Sequence, residues 1–317
     1  MRKAVLIYNP FAGGGRGERQ NAIEAVASVL RAGGIDAALA PTRAAGSAPE
    51  QVREALREGC DMVVACGGDG TVHEVLQGLA ETSSNASLGL IPLGTGNVLA
   101  KDLGLPANPI AAARSLLQFR PKRIAAGKLC YCNAAGEAVA RYFTVAAGVG
   151  AHAQLIYAAN ANVKQQRGLV AYYTKGFHVL FTHPFAPFEA EVTRVDGETM
   201  RGTVQEIVAM RVRSFGGMLK RWMPGGALEH DYLQLVVIRD ASRRGLVPYT
   251  AATILGSKWR PAGVEIMPAA RVLCKPAACP IGETARIHVQ ADGEIIGQMP
   301  LEISIVPNAF TLLMPRA

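Results

Sequence analysis

The sequence has no long hydrophobic run and no recognisable secretion signal. A membrane-spanning helix takes roughly 18 consecutive apolar residues, and no stretch of the 317 residues approaches that length. The opening MRKAVLIYNP starts with basic residues, but its apolar part is too short for a signal peptide and runs directly into a glycine-rich turn. We therefore expect a cytosolic chain.

Metal–thiolate motifs are also lacking. The six cysteines include Cys130-x-Cys132 and a pair at positions 274 and 279, and neither spacing is that of a zinc knuckle. The histidines do not complement these cysteines with a paired spacing. Because free thiols are the default in a cytosolic chain, we expect no structural zinc site.

Two common phosphate-binding signatures are absent. The sequence contains no G-x-x-x-x-G-K-[ST] loop, and no G-x-G-x-x-G follows the first apolar strand. These absences argue against a P-loop NTPase and against a nicotinamide-dependent dehydrogenase. There is also no internal repeat and no low-complexity linker.

The composition is that of a globular chain with two domains and a basic surface. Half of the residues are hydrophobic and 18% are charged, and the formal net charge is +8. The segment 205–275 contains eleven Lys and Arg residues but only five Asp and Glu residues. This excess fits either a solvated face or a surface that contacts anionic lipid headgroups. Nucleic acid is not expected, because the basic residues are not interleaved with aromatic ones.

The first 110 or so residues alternate between strand and helix patterns. Apolar strands alternating with amphipathic helices predict a parallel sheet that is covered on both faces, with ligands bound at the carboxyl ends of its strands. The predicted strands are 4–8, 35–40, 62–66 and 88–91, and the predicted helices are 18–32, 48–58, 72–80 and 98–103.

After about position 121 the pattern changes to short alternating strands, interrupted by one helical stretch at 153–181. This pattern predicts a mainly antiparallel β-sandwich or flattened barrel, with Val195-Asp196-Gly197-Glu198 as a hairpin turn. We expect domains at 1–121 and 122–307, with 308–317 as a tail that returns to the first domain. The predicted strands are 123–129, 142–147, 188–194, 205–213, 233–239, 263–267, 271–275 and 285–291.

Three glycine-rich turns follow predicted strands of the first domain. They are N-P-F-A-G-G-G-R-G at 9–17, G-G-D-G-T-V-H-E at 67–74, and P-L-G-T-G-N at 92–97. Glycine lets a phosphate approach the backbone N–H groups closely, and the following helix directs its positive end at the same point. Three such turns at one edge of a sheet predict a nucleotide site better than they predict tight packing.

The second turn contains an acidic residue between two glycines. Asp69 can cap the following helix, or its carboxylate can face a bound nucleotide. A carboxylate among phosphate-binding amides is best explained by a magnesium ion that bridges them. Thr71 can add a hydroxyl to a phosphate, and Glu74 can orient the ion or a ribose.

The motifs resemble those of the diacylglycerol kinase catalytic family, which includes bacterial lipid kinases and sphingosine kinases. NPFAGGGRG, CGGDGTVHEVLQGL and LIPLGTGNVLA carry the resemblance in the first domain, and GGMLKRWMPGGALEHDYLQLVVI and ADGE carry it in the second. The combination is specific, whereas Gly-Gly-Asp-Gly alone also occurs in NAD kinases and phosphofructokinases. The resemblance covers essentially the whole chain and implies a Rossmann-like nucleotide-binding domain followed by a β-sandwich domain, with ATP held between them.

The resemblance and the glycine turns assign candidate site residues. The predicted catalytic residues are Glu294, which corresponds to the family's catalytic base, Asp292 beside it, and Asp69 of the nucleotide site. A structural magnesium site of the bacterial branch corresponds to the carbonyls of Leu228 and Leu233 and the side chain of Asp231. The predicted nucleotide-binding residues are Asn9, Thr42, Gly68, Asp69, Gly70, Thr71, Val72, His73, Glu74, Gly94, Thr95, Gly96 and Asn97.

The sequence departs from the family pattern at three positions. Val98 and His152 stand where many members have Asp, which leaves the lipid headgroup open. Tyr232 replaces the Gly after Asp231, which weakens the magnesium assignment. The Ala-Asp-Gly-Glu segment at 291–294 also fits a plain β-hairpin, but beside three phosphate-binding turns we favour the catalytic role.

The sequence therefore predicts an ATP- and Mg²⁺-dependent lipid kinase. A carboxylate would accept the proton of the attacking hydroxyl on diacylglycerol or a similar lipid. The expected location is cytoplasmic, in peripheral contact with an anionic membrane, and a homodimer is among the open oligomeric states. Two alternatives remain, which are a soluble-substrate kinase of the NAD kinase type and a non-catalytic nucleotide-binding protein that associates with membranes.

Overall fold

The computed structural model describes most of the chain as two compact units. The first unit comprises Met1–Ala126 and Val306–Ala317, and the second comprises Gly127–Ile305. The predicted helix after Ala153, His152 and the glycines of the first turn at 13–15 lie outside the described residues. The described residues are 2–11, 16–80, 82, 84–133, 135–150, 153, 186–213, 225–239, 263–277 and 287–316.

The order of the secondary-structure elements divides into an alternating part and a strand-rich part. The first part contains β1 (Arg2–Tyr8), α1 (Arg16–Ala32), β2 (Ile35–Pro41), α2 (Ala48–Arg57), β3 (Met62–Gly67), α3 (Asp69–Ala80), β4 (Ser87–Pro92), α4 (Val98–Asp102) and α5 (Pro109–Leu116). The second contains β5 (Arg120–Cys132), β6 (Ala138–Phe143), β7 (Ala146–Gly150), β8 (Phe188–Arg194), β9 (Thr199–Val204), β10 (Glu206–Met210), β11 (Leu233–Ile238), β12 (Val264–Pro276), β13 (His288–Ala291) and β14 (Glu294–Met314).

The sheet of the first unit is parallel, as the apolar strands predict. Its strands are ordered β2-β1-β3-β4, and every residue of β3 and β4 is buried. Near its end, β14 adds a further parallel pairing, with Thr311 and Leu312 opposite Ser87 and Leu88 of β4. All-apolar strands form such sheets because helices cover both faces.

The carboxyl ends of these strands lie at one edge of the sheet. Tyr8 at the end of β1 is opposite Pro41 of β2 and Cys66 of β3. Gly67, the last residue of β3, is opposite Pro92, the last residue of β4. The segments that follow β1, β2, β3 and β4 therefore begin at the same edge.

The helices pack closely in two pairs, α1 with α5 and α2 with α3. A Cβ atom at Gly78 of α3 would lie 2.7 Å from the carbonyl oxygen of Pro49 in α2, so glycine permits this approach. Helix α5 was not predicted from the sequence. Its start is nevertheless marked by Asn108, whose Oδ1 accepts hydrogen bonds from the N–H groups of Ile110 and Ala111, and by Pro109.

The second unit is an antiparallel β structure whose strands form a closed set. Neighbouring strands follow the order β14-β13-β7-β10-β11-β12. Residues 271–274 of β12 then pair with residues 301–304 of β14, which closes the set. β8 and β9 extend it from β12, and β6 pairs with β5. Buried side chains that include Phe143, Phe188 and Leu235 form its core.

The strand boundaries correct several expectations. The predicted strand at 142–147 is divided between β6 and β7, and the predicted strands at 263–267 and 271–275 are one strand, β12, with an irregularity after Ala269. The predicted hairpin at 195–198 is confirmed, because it joins the antiparallel β8 and β9. Within the described part of the chain, no helix is long and apolar enough to cross a membrane.

Candidate active site

The second and third glycine turns lie against each other without an intervening side chain. A Cβ atom at Gly94 would lie 2.5 Å from the Cα atom of Gly68, and one at Gly68 would lie 3.3 Å from the Cα atom of Gly94. Real Cβ atoms do not tolerate the shorter of these distances. Glycine at both positions therefore allows two bare backbone segments to approach each other where β3 and β4 end.

Helix α3 begins in the second turn and directs its first amides to this edge. Its first helical hydrogen bond runs from the N–H of Val72 to the carbonyl of Gly68 at 3.2 Å. The N–H groups of Gly70 and Thr71 precede that bond, so they belong to the amides that a helix leaves outside its own hydrogen-bond ladder. Such amides carry the positive end of the helix dipole and bind phosphate groups.

The side chain of Asp69 joins the two turns. Its Oδ1 atom accepts a hydrogen bond from the N–H of Val98 at 2.7 Å, where α4 begins. Its Oδ2 atom would lie 2.4 Å from a Cβ atom at Gly96, so only glycine leaves room for the carboxylate. The cap that the sequence suggested is therefore made to the neighbouring helix α4, and the carboxylate faces the third turn.

The third turn is shaped by Asn97. This residue is in the left-handed region with a φ of 49°. Its Oδ1 accepts a hydrogen bond from the N–H of Gly94 at 3.0 Å, and its Nδ2 donates to the carbonyl of Gly94 at 2.6 Å. Gly94, Thr95 and Gly96 are exposed between these contacts. The turn thus presents its backbone to solvent while Asn97 fixes its shape.

The remaining polar residues predicted for the nucleotide site fix the neighbouring turns. The Oδ1 of Asn9 accepts a hydrogen bond from the N–H of Phe11 at 2.8 Å. The N–H of Thr42 donates to the carbonyl of Tyr8 at 2.8 Å, and the Oε1 of Glu74 accepts from the N–H of Gly46 at 3.3 Å. The structure therefore gathers the predicted residues of the first unit at one edge of its sheet.

Two of the predicted nucleotide-binding residues do not offer their side chains to a ligand. Val72 and His73 are 9% and 3% exposed, and the Nε2 of Gln77 lies 3.5 Å from the Nε2 of His73 inside the unit. These side chains face inward because they lie on the buried face of α3, next to the sheet. For these two positions, a contact between side chain and nucleotide is not supported.

Arg19 is a residue of this edge that the sequence analysis missed. Its Nη2 donates to the carbonyl of Leu93 in the third turn at 3.1 Å, and burial lowers the pKa of its guanidinium. Its position in the sequence could have indicated that it is buried, because Arg19 shares a face of α1 with the buried Ile23 and Val26. A buried arginine on an apolar helical face indicates a specific acceptor.

The turn at 291–294 in the second unit, which we call the acidic hairpin, contains two acids, Asp292 and Glu294. The surroundings of these two side chains differ. The carboxylate of Asp292 accepts hydrogen bonds from three backbone N–H groups, those of Thr144 at 3.2 Å, Val145 at 2.9 Å and Ala146 at 3.0 Å. Asp292 and Gly293 have φ values of 48° and 90°, as a two-residue turn of the I′ type requires. Glu294, which begins β14, is exposed.

The predicted magnesium site on the second unit does not fit the residues that the structure places there. The carbonyl of Leu228, one of the expected ligands, accepts a hydrogen bond from the Nη2 of the buried Arg211 at 2.9 Å. The Nη1 of Arg211 donates to the carbonyls of His230 and Tyr232, on either side of Asp231, at 2.6 Å each. A cation of the protein therefore binds one expected ligand, the carbonyl of Leu228, and the carbonyls on both sides of another, Asp231.

Two family models match the chain along most of its length. The diacylglycerol kinase catalytic domain matches residues 3–129, and the YegS C-terminal NAD kinase beta sandwich-like domain matches residues 143–314. These ranges cover the glycine turns and the acidic hairpin, respectively.

Curated relatives align with nearly the whole chain. A diacylglycerol kinase of Bacillus subtilis is 27% identical over 319 aligned residues, which cover 100% of this chain and 97% of the relative. A diacylglycerol kinase of Staphylococcus saprophyticus is 27% identical over 95% of this chain and 92% of its own length. The crystal structure of a putative diacylglycerol kinase from Bacillus anthracis superposes with a TM-score of 0.74 at 20% identity, covering 99% of this chain and 95% of that one.

The fold and the matches define a lipid kinase built from an α/β unit and a β-sandwich unit. The chain belongs to the diacylglycerol kinase catalytic-domain family. This membership confirms the predicted family, the fold class and the assignment to lipid kinases.

Proposed function

We propose that this chain transfers the γ-phosphoryl group of ATP to the free hydroxyl of diacylglycerol. The observation that carries the proposal is the contact between the bare backbones of Gly68 and Gly94 at the carboxyl edge of the parallel sheet. The names of the curated relatives support diacylglycerol as the acceptor. In this reaction the hydroxyl oxygen forms a bond to the γ-phosphorus, the bond from that phosphorus to the bridging oxygen breaks, and ADP leaves.

The glycine turns have the properties that a triphosphate site needs. Phosphoryl transfer depends mainly on positioning and on charge stabilisation, with little covalent work by the protein. The amides of Gly70 and Thr71 at the start of α3 would hold phosphate oxygens, and Asn97 keeps the third turn open beside them. Arg19 holds the carbonyl of Leu93 in that turn, so it acts as a positioning residue.

Asp69 is the residue suited to holding a magnesium ion at the outer phosphates. When bound, Mg²⁺ would neutralise the charge that develops on the transferred phosphoryl group. The donor chemistry fits, because carboxylate oxygens are ligands that magnesium prefers, and the hydrogen bond from Val98 holds this carboxylate in place. That bond also fixes the carboxylate relative to the third turn.

Glu294 is the proposed general base, and Asp292 is the residue that positions it. Glu294 is exposed at the start of β14, so its carboxylate can accept the proton from the lipid hydroxyl. Asp292 is committed to the amides of residues 144–146, which anchors the hairpin that carries Glu294. We therefore assign the two predicted catalytic acids of this hairpin different roles, Glu294 as the base and Asp292 as a positioning residue.

Peripheral contact with an anionic membrane is part of the same proposal. The acceptor resides in a bilayer, and the chain carries a net charge of +8. Each Lys or Arg near an anionic surface contributes about 1 kcal/mol to its binding. Arg120, Lys122 and Arg123, at the start of β5, are exposed basic residues.

Labelled phosphate transfer tests the proposed reaction. The full chain is incubated with γ-labelled ATP, Mg²⁺ and diacylglycerol in mixed micelles, and Glu294→Gln is compared with Glu198→Gln. Both glutamates end an Asp-Gly-Glu hairpin, so the second variant is a matched control. We expect Glu294→Gln to lower kcat roughly 10²- to 10⁴-fold, as for the loss of a general base, and Glu198→Gln to retain activity.

The same assay separates the reaction from the alternatives. Full activity in Glu294→Gln would contradict its role as the base. If NAD acquired the label and diacylglycerol did not, a soluble-substrate kinase would replace the proposed function. If neither compound acquired it while ATP still bound, the non-catalytic alternative would hold.

A further inference from the structure

The segment before β11 is a tight loop that lies against the end of β10. A Cβ atom at Gly225 would lie 1.9 Å from the carbonyl oxygen of Val212, and one at Gly226 would lie 2.9 Å from that of Met210. Both glycines therefore allow the loop backbone to touch the backbone that follows β10. We call residues 225–232 the carbonyl loop, because three of its carbonyl groups accept hydrogen bonds from one side chain.

The guanidinium of Arg211 lies at the centre of the carbonyl loop. It donates from Nη1 to the carbonyls of His230 and Tyr232 and from Nη2 to the carbonyl of Leu228. Its side chain is fully buried, and its backbone N–H donates to the carbonyl of Val145 at 2.9 Å. Three carbonyls of one loop thus converge on one buried cation.

The loop is organised around this cation by further local contacts. The N–H of His230 donates to the carbonyl of Ala227 at 3.0 Å, and the rings of His230 and Tyr232 stack with their centres 4.7 Å apart. Outside, Arg213 donates to Glu229 at 3.2 Å. Arg211 therefore holds the loop from inside, and Arg213 holds the same loop at the surface.

The charge of Arg211 persists at neutral pH. An arginine guanidinium stays protonated in proteins, and three loop carbonyls accept its hydrogen bonds. A buried cation requires paired acceptors, which the loop carbonyls provide. Backbone carbonyls and a carboxylate are also the ligands of hard divalent cations, so the loop has the donor chemistry of a metal site and already contains a positive charge.

We propose that the guanidinium of Arg211 takes the place of a divalent metal ion in the carbonyl loop, so that this chain binds no metal ion there. The proposal concerns the second unit alone and does not depend on the proposed kinase reaction. Magnesium that accompanies ATP at the first unit is a separate matter.

Thermal unfolding without nucleotide, with EDTA or with added Mg²⁺ or Mn²⁺, tests this replacement. The wild-type chain is compared with Arg211→Ala and with the control Arg213→Ala, whose exposed side chain holds the same loop. We expect the wild-type and control midpoints to be unchanged by EDTA or by either ion. We expect Arg211→Ala to lower the midpoint by roughly 5 °C or more, because three buried carbonyls lose their donor, and Mn²⁺ to restore part of that loss.

Calorimetric titration with Mn²⁺ supplies the result that would overturn the proposal. It compares the wild-type chain with Asp231→Asn, again without nucleotide, and so remains decisive if Arg211→Ala fails to fold. Saturable binding by the wild type that disappears in Asp231→Asn would mean that the loop holds a metal ion after all. A midpoint for Arg211→Ala equal to that of Arg213→Ala would also contradict the proposal, since the guanidinium would then not hold the loop.

Discussion

At the scale of single residues, two hairpins with the same three letters differ in what their aspartates hold. Asp196 accepts the N–H of Glu198 within its own turn, whereas Asp292 reaches amides about 146 positions away in sequence. The sequence could place both turns, because Asp-Gly is a strong hairpin signal. It could not separate them, because the three amides at 144–146 approach Asp292 only in the folded unit.

Replacing Asp292 by Ala should destabilise the second unit. The change leaves the amides of Thr144, Val145 and Ala146 without their acceptor, and each lost bond to a charged group costs about 1.5–3 kcal/mol. We expect a loss of unfolding free energy of roughly 2–5 kcal/mol, measured by urea denaturation. Glu294→Ala, at an exposed position, should stay within about 0.5 kcal/mol of the wild type. Equal stabilities of the two variants would refute the positioning role of Asp292.

Replacing Asp69 should separate its structural from its electrostatic contribution. Asp69→Asn keeps an oxygen that can accept the N–H of Val98, and Asp69→Ala removes it. We expect Ala to cost about 1–2 kcal/mol of stability, as for the loss of a helix cap, and Asn to cost less. Both should lower kcat/KM by roughly 10²-fold or more, because the negative charge is lost. If Asp69→Asn kept normal transfer rates, the proposed role in holding magnesium would be wrong.

At the scale of secondary structure, the parallel sheet was predictable and the long strand β14 was not. The buried strands β3 and β4 are continuous apolar runs, and their limits lie within one residue of the prediction at either end. β14 contains Gly297, Pro300 and Pro307 and shows no continuous alternation, so nothing in its sequence predicted one strand of 21 residues. Its pairings with β12, β13 and β4 are tertiary, and tertiary contacts override local preference.

The sequence also did not predict that Arg211 is buried and holds a loop. Arg211 directly follows the apolar strand β10. From sequence alone, an arginine at the end of a strand is expected to be exposed. The structure buries it because the carbonyl loop folds back over the strand end. A sequence motif can identify the loop, but it cannot reveal which cation the loop encloses.

The contact between the glycine turns makes a prediction about two alanine variants. Gly94→Ala places a methyl group 2.5 Å from the Cα atom of Gly68 and should push the second and third turns apart. We expect a rise of roughly 10-fold or more in the KM for ATP, because misplacement of positioning groups by about 1 Å is costly. Gly202→Ala in β9 of the second unit, where a Cβ atom would meet only the flexible end of the Arg239 side chain, is the control and should leave the KM unchanged. Equal KM values for both variants would contradict a nucleotide site at these turns.

At the scale of the whole molecule, the chain divides the groups that we propose to bind the nucleotide and to accept the proton between two units. The glycine turns, Asp69 and Arg19 belong to the first unit, and the acidic hairpin and the carbonyl loop belong to the second. The chain crosses between the units at 126–127 and again at 305–306, so the first unit contains both ends of the chain. The sequence indicated this division through its change of pattern near position 121, because strand–helix alternation and short alternating strands build different architectures.

The central claim is that ATP binds at the bare backbone of the second and third turns, and amide hydrogen exchange with and without ATP tests it most directly. We predict slower exchange for the amides at 68–71 and 95–97 when ATP is bound, because phosphate oxygens would accept their hydrogen bonds. The hairpin at 195–198 should exchange at the same rate in both conditions. Unchanged exchange at both turns in the presence of saturating ATP would contradict the account.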